Sequence, residues 1–536
     1  MKVFRNVSLL LLSLLLVAFL AACGSDDADR SESETDETEG TTEKKDEAEA
    51  TEGGELNVAL NAQPPTMDPM FSTAVATRDV TRLVFETLLT IDSAFQAQPM
   101  LAESVESDDN ETYTFKLRED VKFHNGDEMT AEDVVASMER WMQLSSSAIE
   151  TFGTAKFEAV DDYTVTMTLE EPISVTLDII ASPGQAPAIM PKEIAEAAGT
   201  DELDEYIGTG PYKFVEWVQD QYIHLEKYDD YSSLDTASDG LSGKKEAKLD
   251  DIYFRMVSDH STRLAGLQTG EYDLVYQVPL DNFDQVKNDP NLDAEAELVG
   301  NLNLVYNKQE GPMSDINMRK AVNTALNLDD VLLAALINEE TMLLNSSYMN
   351  PQIEHWASDA GSEFYNQNDI ELAKEYLEEA GYDGEEIRIL TTRDYEYYYS
   401  AAVVIKEQLE EAGMNVELAV YDWATVTELR EDPKEWELLT NGFTFRSEPS
   451  QILEFRSTWA GGVEDEKVEE LKKAMIDAES QEEAKEYWDE LQRYGWEEFL
   501  PVTKLGNYGN IYGATKNVQG YEIFTGPIIW NAYKTE

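Results

Sequence analysis

The residue types that most often perform chemistry are few and scattered in this sequence. The histidines are His124, His224, His260 and His355, and the single cysteine is Cys23. No HExxH zinc motif, GxSxG nucleophile motif or glycine-rich phosphate loop occurs. Adjacent acidic residues carry little information, because Asp and Glu together number 109. We therefore predict that the chain is not an enzyme, and we expect neither a cofactor nor a metal site.

Arg393 is the sharpest candidate for binding a ligand. It follows a strand predicted over residues 387–390 and precedes a predicted helix that contains Tyr397. In open α/β sheets, ligands bind outside the carboxyl ends of strands and next to helix N-termini. A guanidinium group at such a place favours a carboxylate or a phosphate. The alternative is a surface arginine paired with Asp394 or a nearby glutamate.

Two further strand ends carry aromatic and basic side chains. A strand over 416–420 is followed by an aromatic pair, and a strand over 437–441 leads into a segment of alternating aromatic residues. We expect these ends to meet the Arg393 segment at one cleft edge. Aromatic walls with a few polar anchors are typical of a small-molecule cleft, although each aromatic residue is equally compatible with a core position. The candidates are Trp423, Phe443, Phe445, Arg446, Trp459 and Tyr348.

The elements that position these residues follow from hydrophobic periodicity. A helical stripe over 370–380 ends at Gly381, and a second stripe over 401–412 ends at Gly413. Glycine at these places supplies the left-handed cap of a helix. The strands at 387–390 and 416–420 flank the second helix. Strand, helix and strand of these lengths predict a βαβ unit with parallel strands, and therefore an α/β fold.

The N-terminal segment reads as an export signal. Lys2 and Arg5 precede an apolar stretch over 7–22, which is short for a membrane span. The stretch ends in Leu20-Ala21-Ala22-Cys23, which resembles the bacterial lipobox. We predict a signal peptide over 1–22, lipidation at Cys23 and a disordered acidic tether over 23–54. An ordinary cleaved signal with a chance cysteine is the alternative.

Composition restricts the partners. The formal net charge is −69, which argues against nucleic acid because polyanions repel each other. The acidic residues are spread along the whole chain, which favours a solvated surface suited to a saline or alkaline habitat over a site for an oligocationic ligand. About 480 residues follow the predicted tether, more than one hydrophobic core usually serves, so we expect two or more lobes.

A series of motifs, in order along the chain, resembles the solute-binding proteins of family 5. This group includes oligopeptide-, dipeptide-, glutathione- and nickel-binding receptors. The most specific match is Val121-Lys122-Phe123-His124-Asn125-Gly126 followed by Thr130-Ala131-Glu132-Asp133-Val134. Further matches are Pro64-Pro65-Thr66-Met67-Asp68-Pro69, Val84-Phe85-Glu86-Thr87-Leu88-Leu89, Gly208-Thr209-Gly210-Pro211-Tyr212, Gly266-Leu267-Gln268-Thr269-Gly270-Glu271-Tyr272-Asp273 and Met318-Arg319-Lys320-Ala321-Val322-Asn323. His124 occupies a turn motif of the family, so we interpret it as structural.

The resemblance implies a two-lobed type II periplasmic-binding-protein fold with one inserted domain. Lobe I would comprise residues 55–90, 208–300 and 508–536, the additional domain 91–207, and lobe II 301–507. Chain crossings near 302–306 and 504–508 would form the hinge. Thr73 and Gln185 would face the cleft from the first lobe and the additional domain.

The resemblance also implies a function and a set of partners. The protein would be a monomeric receptor of an ABC importer, anchored by lipid to the extracellular face of the cytoplasmic membrane. It would close around a small polar solute and deliver it to a permease and ATPase complex. A receptor for a chelated metal such as nickel, and a sensor that uses the same cleft, are the alternatives.

One departure from the family pattern concerns the ligand. In peptide-binding members, an aspartate in the segment matching residues 443–449 holds the free amino group of the peptide. Here Arg446 stands near the expected acid, and Glu448 is the nearest substitute. The exchange of an acid for a base favours an anionic solute, such as an organic acid, an opine or a sugar acid, over a free peptide N-terminus.

Overall fold

A computed structural model describes residues 50–51, 53–107 and 109–535. The predicted signal peptide, Cys23 and the tether up to residue 49 lie outside the described residues. Within the described part of the chain, no helix is long and apolar enough to cross a membrane.

The strands, in chain order, are β1 (Ala50–Thr51), β2 (Glu55–Leu60), β3 (Leu89–Ile91), β4 (Ala97–Pro99), β5 (Ala102–Glu106), β6 (Thr112–Leu117), β7 (Lys156–Asp161), β8 (Thr164–Thr168), β9 (Tyr212–Val218), β10 (Tyr222–Lys227), β11 (Asp251–Met256), β12 (Leu274–Val275), β13 (Leu292–Tyr306), β14 (Met342–Leu343), β15 (Glu386–Thr392), β16 (Asn415–Tyr421), β17 (Leu438–Thr444), β18 (Val502–Thr515), β19 (Val518–Gln519), β20 (Glu522–Ile523), β21 (Pro527–Ile528) and β22 (Tyr533–Thr535).

The α-helices are α1 (Val75–Thr81), α2 (Ala131–Leu144), α3 (Ser146–Phe152), α4 (Thr176–Ile180), α5 (Lys192–Ala198), α6 (His260–Thr269), α7 (Phe283–Lys287), α8 (Ile316–Ala325), α9 (Leu328–Leu336), α10 (Ile370–Ala380), α11 (Glu396–Glu411), α12 (Trp423–Leu429), α13 (Glu466–Ile476) and α14 (Gln481–Tyr494). A π-helix over Gly495–Phe499 follows α14 directly.

One large mixed sheet runs through the fold in the order β16-β15-β17-β13-β18-β12-β2-β11-β10-β9. The long strands β13 and β18 pair antiparallel along almost their whole length. The first-lobe strands join the carboxyl end of β18 through β12, whereas the second-lobe strands join the carboxyl end of β13 through β17. This arrangement gives the two-lobed α/β architecture that the resemblance implies.

The chain crossings lie earlier on β13 than expected. Residues 302–306 already pair with β17 in the sheet of the second lobe. Among the named ladders of the described residues, 295–298 of β13 and 509–512 of β18 pair with each other and with no third strand. The predicted crossing near 302–306 was therefore placed too far along the strand, because strand periodicity does not reveal where a ladder gains a third strand.

Residues 91–207 contain a small sheet of their own. It is antiparallel, in the order β5-β6-β8-β7, and α2 packs against it. A capping box begins α2: the Thr130 amide donates to the Asp133 carboxylate at 2.9 Å. Val134, Met138 and Trp141 on one face of α2 are buried, as their spacing predicts.

The βαβ unit predicted in the second lobe is confirmed. β15 and β16 are parallel, and α11 connects them. The preceding helix α10 ends at Gly381 in the left-handed conformation, with φ of 69°. Ala401, Ile405 and Leu409 of α11 are buried in the core of the second lobe.

The predicted tether extends less far than residue 54. Ala50 and Thr51 form β1, which pairs antiparallel with β22 near the carboxyl terminus. The Gly53 amide donates to the Lys248 carbonyl oxygen at 2.9 Å, and the Gly54 amide to the Asp250 carboxylate at 2.9 Å. Polar composition predicted disorder here, but backbone hydrogen bonds hold these residues.

Candidate functional site

The carboxyl ends of β15, β16 and β17 meet at one edge of the second-lobe sheet, as expected, because β15 is parallel to both neighbours. Four side chains that follow β15 and β16, together with Tyr508 of β18, form an aromatic cluster. Its members are Tyr395, Tyr397, Tyr398, Trp423 and Tyr508. Two of the predicted candidates, Tyr397 and Trp423, therefore share one surface.

Glycine allows this cluster to approach the end of β17. The Gly442 amide donates to the Tyr398 hydroxyl oxygen at 2.8 Å. A Cβ atom at Gly442 would lie 2.8 Å from that oxygen and 2.9 Å from the hydroxyl oxygen of Tyr508. Tyr397 stacks on Tyr508 with ring centroids 5.6 Å apart. Burial raises the pKa of the Tyr397 hydroxyl, so it is a neutral hydrogen-bonding group at physiological pH.

Arg393 lies at the rim of this cluster and is exposed. Its guanidinium group lies over the ring of Tyr399, 3.5 Å from the centroid, on the adjoining helix α11. The pairing with Asp394 that sequence reasoning offered as an alternative is absent from the described contacts, and the Asp394 carboxylate instead accepts from the Trp423 amide at 2.7 Å. Arg393 is thus held by a cation–π contact on the surface.

The segment after β17 carries the other candidates of the second lobe. Phe443 is buried and packs edge-on against Trp459, with centroids 4.8 Å apart. The Arg430 guanidinium group lies over the Trp459 ring, 5.3 Å from its centroid. Phe445 is half-buried, and its amide donates to the Val299 carbonyl oxygen at the chain crossing.

Arg446 is the candidate whose surroundings most suggest a ligand. Most of the side chain is buried, and its Nε is fully buried without a hydrogen-bond partner. The described residues supply no ion pair within 4.0 Å and no hydrogen bond to this guanidinium group. Burial and the nearby Arg456 lower the pKa of Arg446, against the opposing effect of Glu454 and Glu448. A guanidinium group remains charged in proteins, so this charge lacks a direct counter-ion.

The two carboxylates near Arg446 accept hydrogen bonds from other residues. Glu448 is fully buried and accepts from the amide and the hydroxyl of Ser450, both at 2.6 Å. Glu454 accepts from the side-chain amides of Asn301 at 2.9 Å and Asn303 at 3.4 Å. Burial raises the pKa of both carboxyl groups, that of Glu448 to about 7. Glu448 therefore does not replace the missing aspartate as an exposed acid.

Tyr348 belongs to the packed interior behind this segment. Its ring stacks on Trp496 of the π-helix with centroids 4.9 Å apart and packs edge-on against Phe455. The Tyr348 hydroxyl is buried and has no partner in the described residues. Burial raises its pKa well above the ordinary value, so it stays protonated. Tyr348 is therefore part of the packed interior and not of an open surface.

The candidates from the other side of the cleft are placed differently. Thr73 is exposed just before α1. Gln185 adopts a positive φ of 47°, its side chain donates to the Met70 carbonyl oxygen at 3.2 Å, and its own carbonyl accepts from the Trp141 indole at 2.8 Å. Gln185 thus fixes a loop, while Thr73 is free to meet a partner.

Sequence reasoning missed two polar side chains next to Arg446. Gln451 is only 8% exposed, and its Nε2 has no partner; the Ser447 hydroxyl is likewise buried and unpartnered. Both are hydrogen-bond donors within five residues of Arg446. No sequence pattern distinguishes them from ordinary loop residues, because only burial makes an unpaired donor costly.

The histidines have structural surroundings. His124 accepts from the Gly208 amide at 3.3 Å and lies 2.9 Å from the Gly210 carbonyl oxygen. Burial lowers its pKa to about 4, so it is neutral at physiological pH. Across the described residues, no three His, Cys, Asp or Glu side chains are grouped so that they would hold a metal ion.

Comparison with known proteins now identifies the family. The sequence model for bacterial extracellular solute-binding proteins, family 5 Middle, matches residues 96–462. The chain belongs to this family. It is 29% identical over 496 residues to a probable peptide ABC transporter periplasmic-binding protein of Sinorhizobium fredii (strain NBRC 101917 / NGR234), covering 87% of this chain and 91% of that protein.

Solved structures confirm the fold of this family 5 protein. The substrate-binding protein CtaP of Listeria monocytogenes superposes with a TM-score of 0.80 at 22% identity, covering 91% of this chain and 100% of that one. AgaA of A. tumefaciens R10 in complex with agropinic acid gives a TM-score of 0.72 at 24% identity, covering 90% of this chain and 99% of that one. The protein is thus an extracytoplasmic solute-binding receptor of an ABC importer and not an enzyme.

In this family 5 protein, residues 91–207 contact the second lobe directly. Arg456 pairs with Glu150 at 2.9 Å, and the Trp356 indole donates to the Asp178 carboxylate at 3.2 Å. The Ser174 amide donates to the Ile476 carbonyl oxygen at 3.2 Å. These three contacts join residues 91–207 to separate segments of the second lobe.

A polar cavity of about 860 Å³ opens along this contact. It is lined by Glu150, Arg456, Ser457, Thr458, Glu464, Asp465, Glu466, Glu469 and Lys472. The lining contains far more carboxylates than cations, so its rim repels anions at long range.

Proposed function

We propose that this receptor captures a small solute that carries at least one carboxylate, and that Arg446 binds that carboxylate. The observation that carries the proposal is Arg446, whose side chain is mostly buried and whose Nε is fully buried without a hydrogen-bond partner among the described residues. A buried charge is costly unless it is paired. A carboxylate that accepts two N–H bonds from the guanidinium group would remove this cost.

The neighbouring residues support the same class of solute. Ser447 and Gln451 add unpartnered donors beside Arg446 and no unpartnered carboxylate. The aromatic cluster and the Phe443–Trp459 pair supply apolar walls at the same edge of the sheet. Donors with apolar walls suit an organic acid, an opine, a sugar acid or the carboxyl end of a short peptide.

Relatives agree with this range of solutes. A relative matched over 91% of its length is described as a probable peptide ABC transporter periplasmic-binding protein, and one solved structure of this fold holds agropinic acid. We do not favour a peptide bound through its free amino group. Arg446 would repel the ammonium group, and the Glu448 carboxylate already accepts hydrogen bonds from Ser450.

Calorimetry with matched ligands and variants tests the proposal. Material that copurifies with the protein is identified by mass spectrometry, and agropinic acid, dipeptides and dipeptide amides are titrated beside it. Arg446→Ala should weaken the binding of the carboxylate form by about 2–5 kcal/mol. The exposed Arg393→Ala serves as the control, with an expected loss of roughly 0–1 kcal/mol. Equal binding of acid and amide by the unaltered protein, or unchanged affinity in Arg446→Ala, would refute the assignment.

We further propose that Cys23 carries a lipid anchor and that the protein acts as a monomer on the outer face of the membrane. The lipobox-like sequence before Cys23 supports this, since two acyl chains anchor a protein stably where one does not. Cys23→Ser should release the protein or leave its precursor uncleaved. Membrane retention of a correctly cleaved Cys23→Ser chain would refute the lipid anchor.

A further inference from the structure

Residues 91–207 are bonded to the first lobe. His124 Nε2 lies 2.9 Å from the Gly210 carbonyl oxygen, and the Tyr228 hydroxyl donates to the Phe123 carbonyl oxygen at 2.8 Å. The chain also enters this region from the first lobe and returns to it. A rotation between the two lobes therefore carries residues 91–207 with the first lobe.

The two lobes are connected by a two-stranded crossing. Residues 295–298 of β13 pair with residues 509–512 of β18, and no third strand joins them among the named ladders of the described residues. Two strands bend more readily than the wider sheet on either side, so we expect the lobes to turn about this crossing. Such a turn breaks the hydrogen bonds between residues 91–207 and the second lobe.

Three of these hydrogen bonds converge on the turn between α13 and α14. The Ser174 amide donates to the Ile476 carbonyl oxygen at 3.2 Å, and the Ser174 hydroxyl donates to the Met475 carbonyl oxygen at 3.0 Å. The Asn110 side-chain amide donates to the Glu479 carbonyl oxygen at 3.1 Å. Because α13 ends at Ile476, two of these acceptors belong to the last four carbonyls of a helix, which have no partner inside the helix.

The donors and acceptors at this turn are all neutral. The acceptors are backbone carbonyl oxygens, so the contact depends on where the end of α13 lies and not on the side chains of the second lobe. On opening, water replaces the lost partners, and each bond contributes only its net value. That value corresponds to a factor of about five in the equilibrium between the closed and the open form.

We propose that Ser174 and Asn110 form a clasp that keeps the receptor closed by capping the carboxyl end of α13 and the turn after it. Opening the cleft breaks the clasp, so the clasp lengthens the time for which a solute is retained. Ser174 is a positioning residue in this role, because it acts on the second lobe and not on the solute. The clasp needs no change of ionisation and no particular solute.

Hydrogen exchange on the full chain, without any solute, tests the clasp at two places. Ser174→Ala removes the hydroxyl but keeps the amide, and protection of the residue 174 amide should fall about fivefold. The Trp356 indole donates to Asp178 at 3.2 Å across the same contact but from other segments. If Ser174 acts through closure, the indole hydrogen of Trp356 should lose protection by the same factor. Amides of the β15–β16 ladder, which lies inside the second lobe, should exchange as before.

Two matched variants separate closure from the loss of any hydroxyl group. Ser314→Ala removes a hydroxyl that donates to the Gly311 carbonyl oxygen at 2.7 Å within the second lobe, and it should leave the Trp356 indole unchanged. Ser174→Thr keeps the hydroxyl and should restore most of the protection. Asn110→Gly removes the other donor, and glycine accommodates the φ of 55° at this position, so it gives the same test where Ser174→Ala does not fold.

The exchange of the Trp356 indole decides the outcome. If it is unchanged in Ser174→Ala and in Asn110→Gly, the effect of these residues is confined to their own loops and the clasp is refuted. Equal loss of protection in Ser314→Ala, or throughout the β15–β16 ladder, would refute it as well, because the change would then be a general loss of stability. No solute enters these measurements, so they are independent of the anion-binding role of Arg446.

Discussion

The buried ion pair between Lys245 and Glu86 allows a sharp test of how the first lobe is held together. Their side chains are 6% and 1% exposed, and Lys245 Nζ lies 2.8 Å from Glu86 Oε1. Glu86 also accepts from the Thr209 hydroxyl at 3.1 Å and the Tyr231 hydroxyl at 2.8 Å. The Glu86 carboxylate thus links residues 84–89 by hydrogen bonds to the 208–212 turn and to the loop that follows β10.

Lys245→Met should destabilise the protein strongly. Methionine keeps an unbranched apolar side chain but removes the charged Nζ, which lies over the Trp530 ring 4.7 Å from its centroid. Glu86 then remains buried as an ion with two hydroxyl donors, and loss of one partner of a buried pair costs about 3–5 kcal/mol. Because those hydroxyls remain, we expect a loss near the lower end, about 3 kcal/mol. Adding Glu86→Gln to Lys245→Met should recover most of the lost free energy of unfolding.

Urea unfolding followed by circular dichroism measures the change in the free energy of unfolding. Lys287→Met is the matched control, since the Lys287–Glu340 pair at 2.5 Å is 45% and 52% exposed. That change should cost roughly 0–1 kcal/mol. If Lys245→Met and Lys287→Met lose the same small amount, or if Glu86→Gln fails to rescue Lys245→Met, the carboxylate is not a buried charge and the reasoning is wrong.

Three further outcomes are expected from the packing around glycines and His124. Gly442→Ala should lose about 1–3 kcal/mol of stability in urea unfolding, because its Cβ would lie 2.8 Å from the hydroxyl oxygen of Tyr398. Gly208→Ala, whose Cβ would lie 2.2 Å from a backbone carbonyl oxygen, should lower the yield of folded protein, whereas Gly184→Ala, with its nearest neighbour at 3.9 Å, should not. Burial lowers the pKa of His124 to about 4, so the free energy of unfolding should fall as the pH drops from about 6.5 to about 4. In His124→Gln, unfolding measured over the same pH range should not show this contribution to the fall.

Periodicity and cap residues predicted the local elements of the second lobe well. Gly381 ends α10 in the left-handed conformation, and the parallel pairing of β15 with β16 follows from the helix between them. Such features depend on residues close in sequence, so one chain suffices to recognise them. The point where β13 leaves one lobe for the other depends on pairing with distant strands, and its prediction was wrong by several residues.

The site shows the same division between local and distant information. The strand-end rule placed Arg393 and Arg446 at one edge of the sheet, but it did not distinguish them. Arg393 is exposed on the ring of Tyr399, whereas Arg446 is mostly buried without a partner. Burial of Glu448 was equally hidden, because one acid among 109 has no distinguishing pattern. These differences arise from the packing of segments far apart in the sequence.

The motifs that establish the family and the residues proposed to select the solute perform different tasks. Glu86, His124 and Gly208 come from three separate motifs, and the structure joins them: Glu86 contacts the residue after Gly208, and His124 bonds to Gly208 itself. These motifs thus build the scaffold of the first lobe and of residues 91–207. The segment around Arg446 lies outside these motifs in the sequence. A resemblance carried by scaffold motifs therefore identifies the class of receptor, while the solute must be found by experiments on the Arg446 segment.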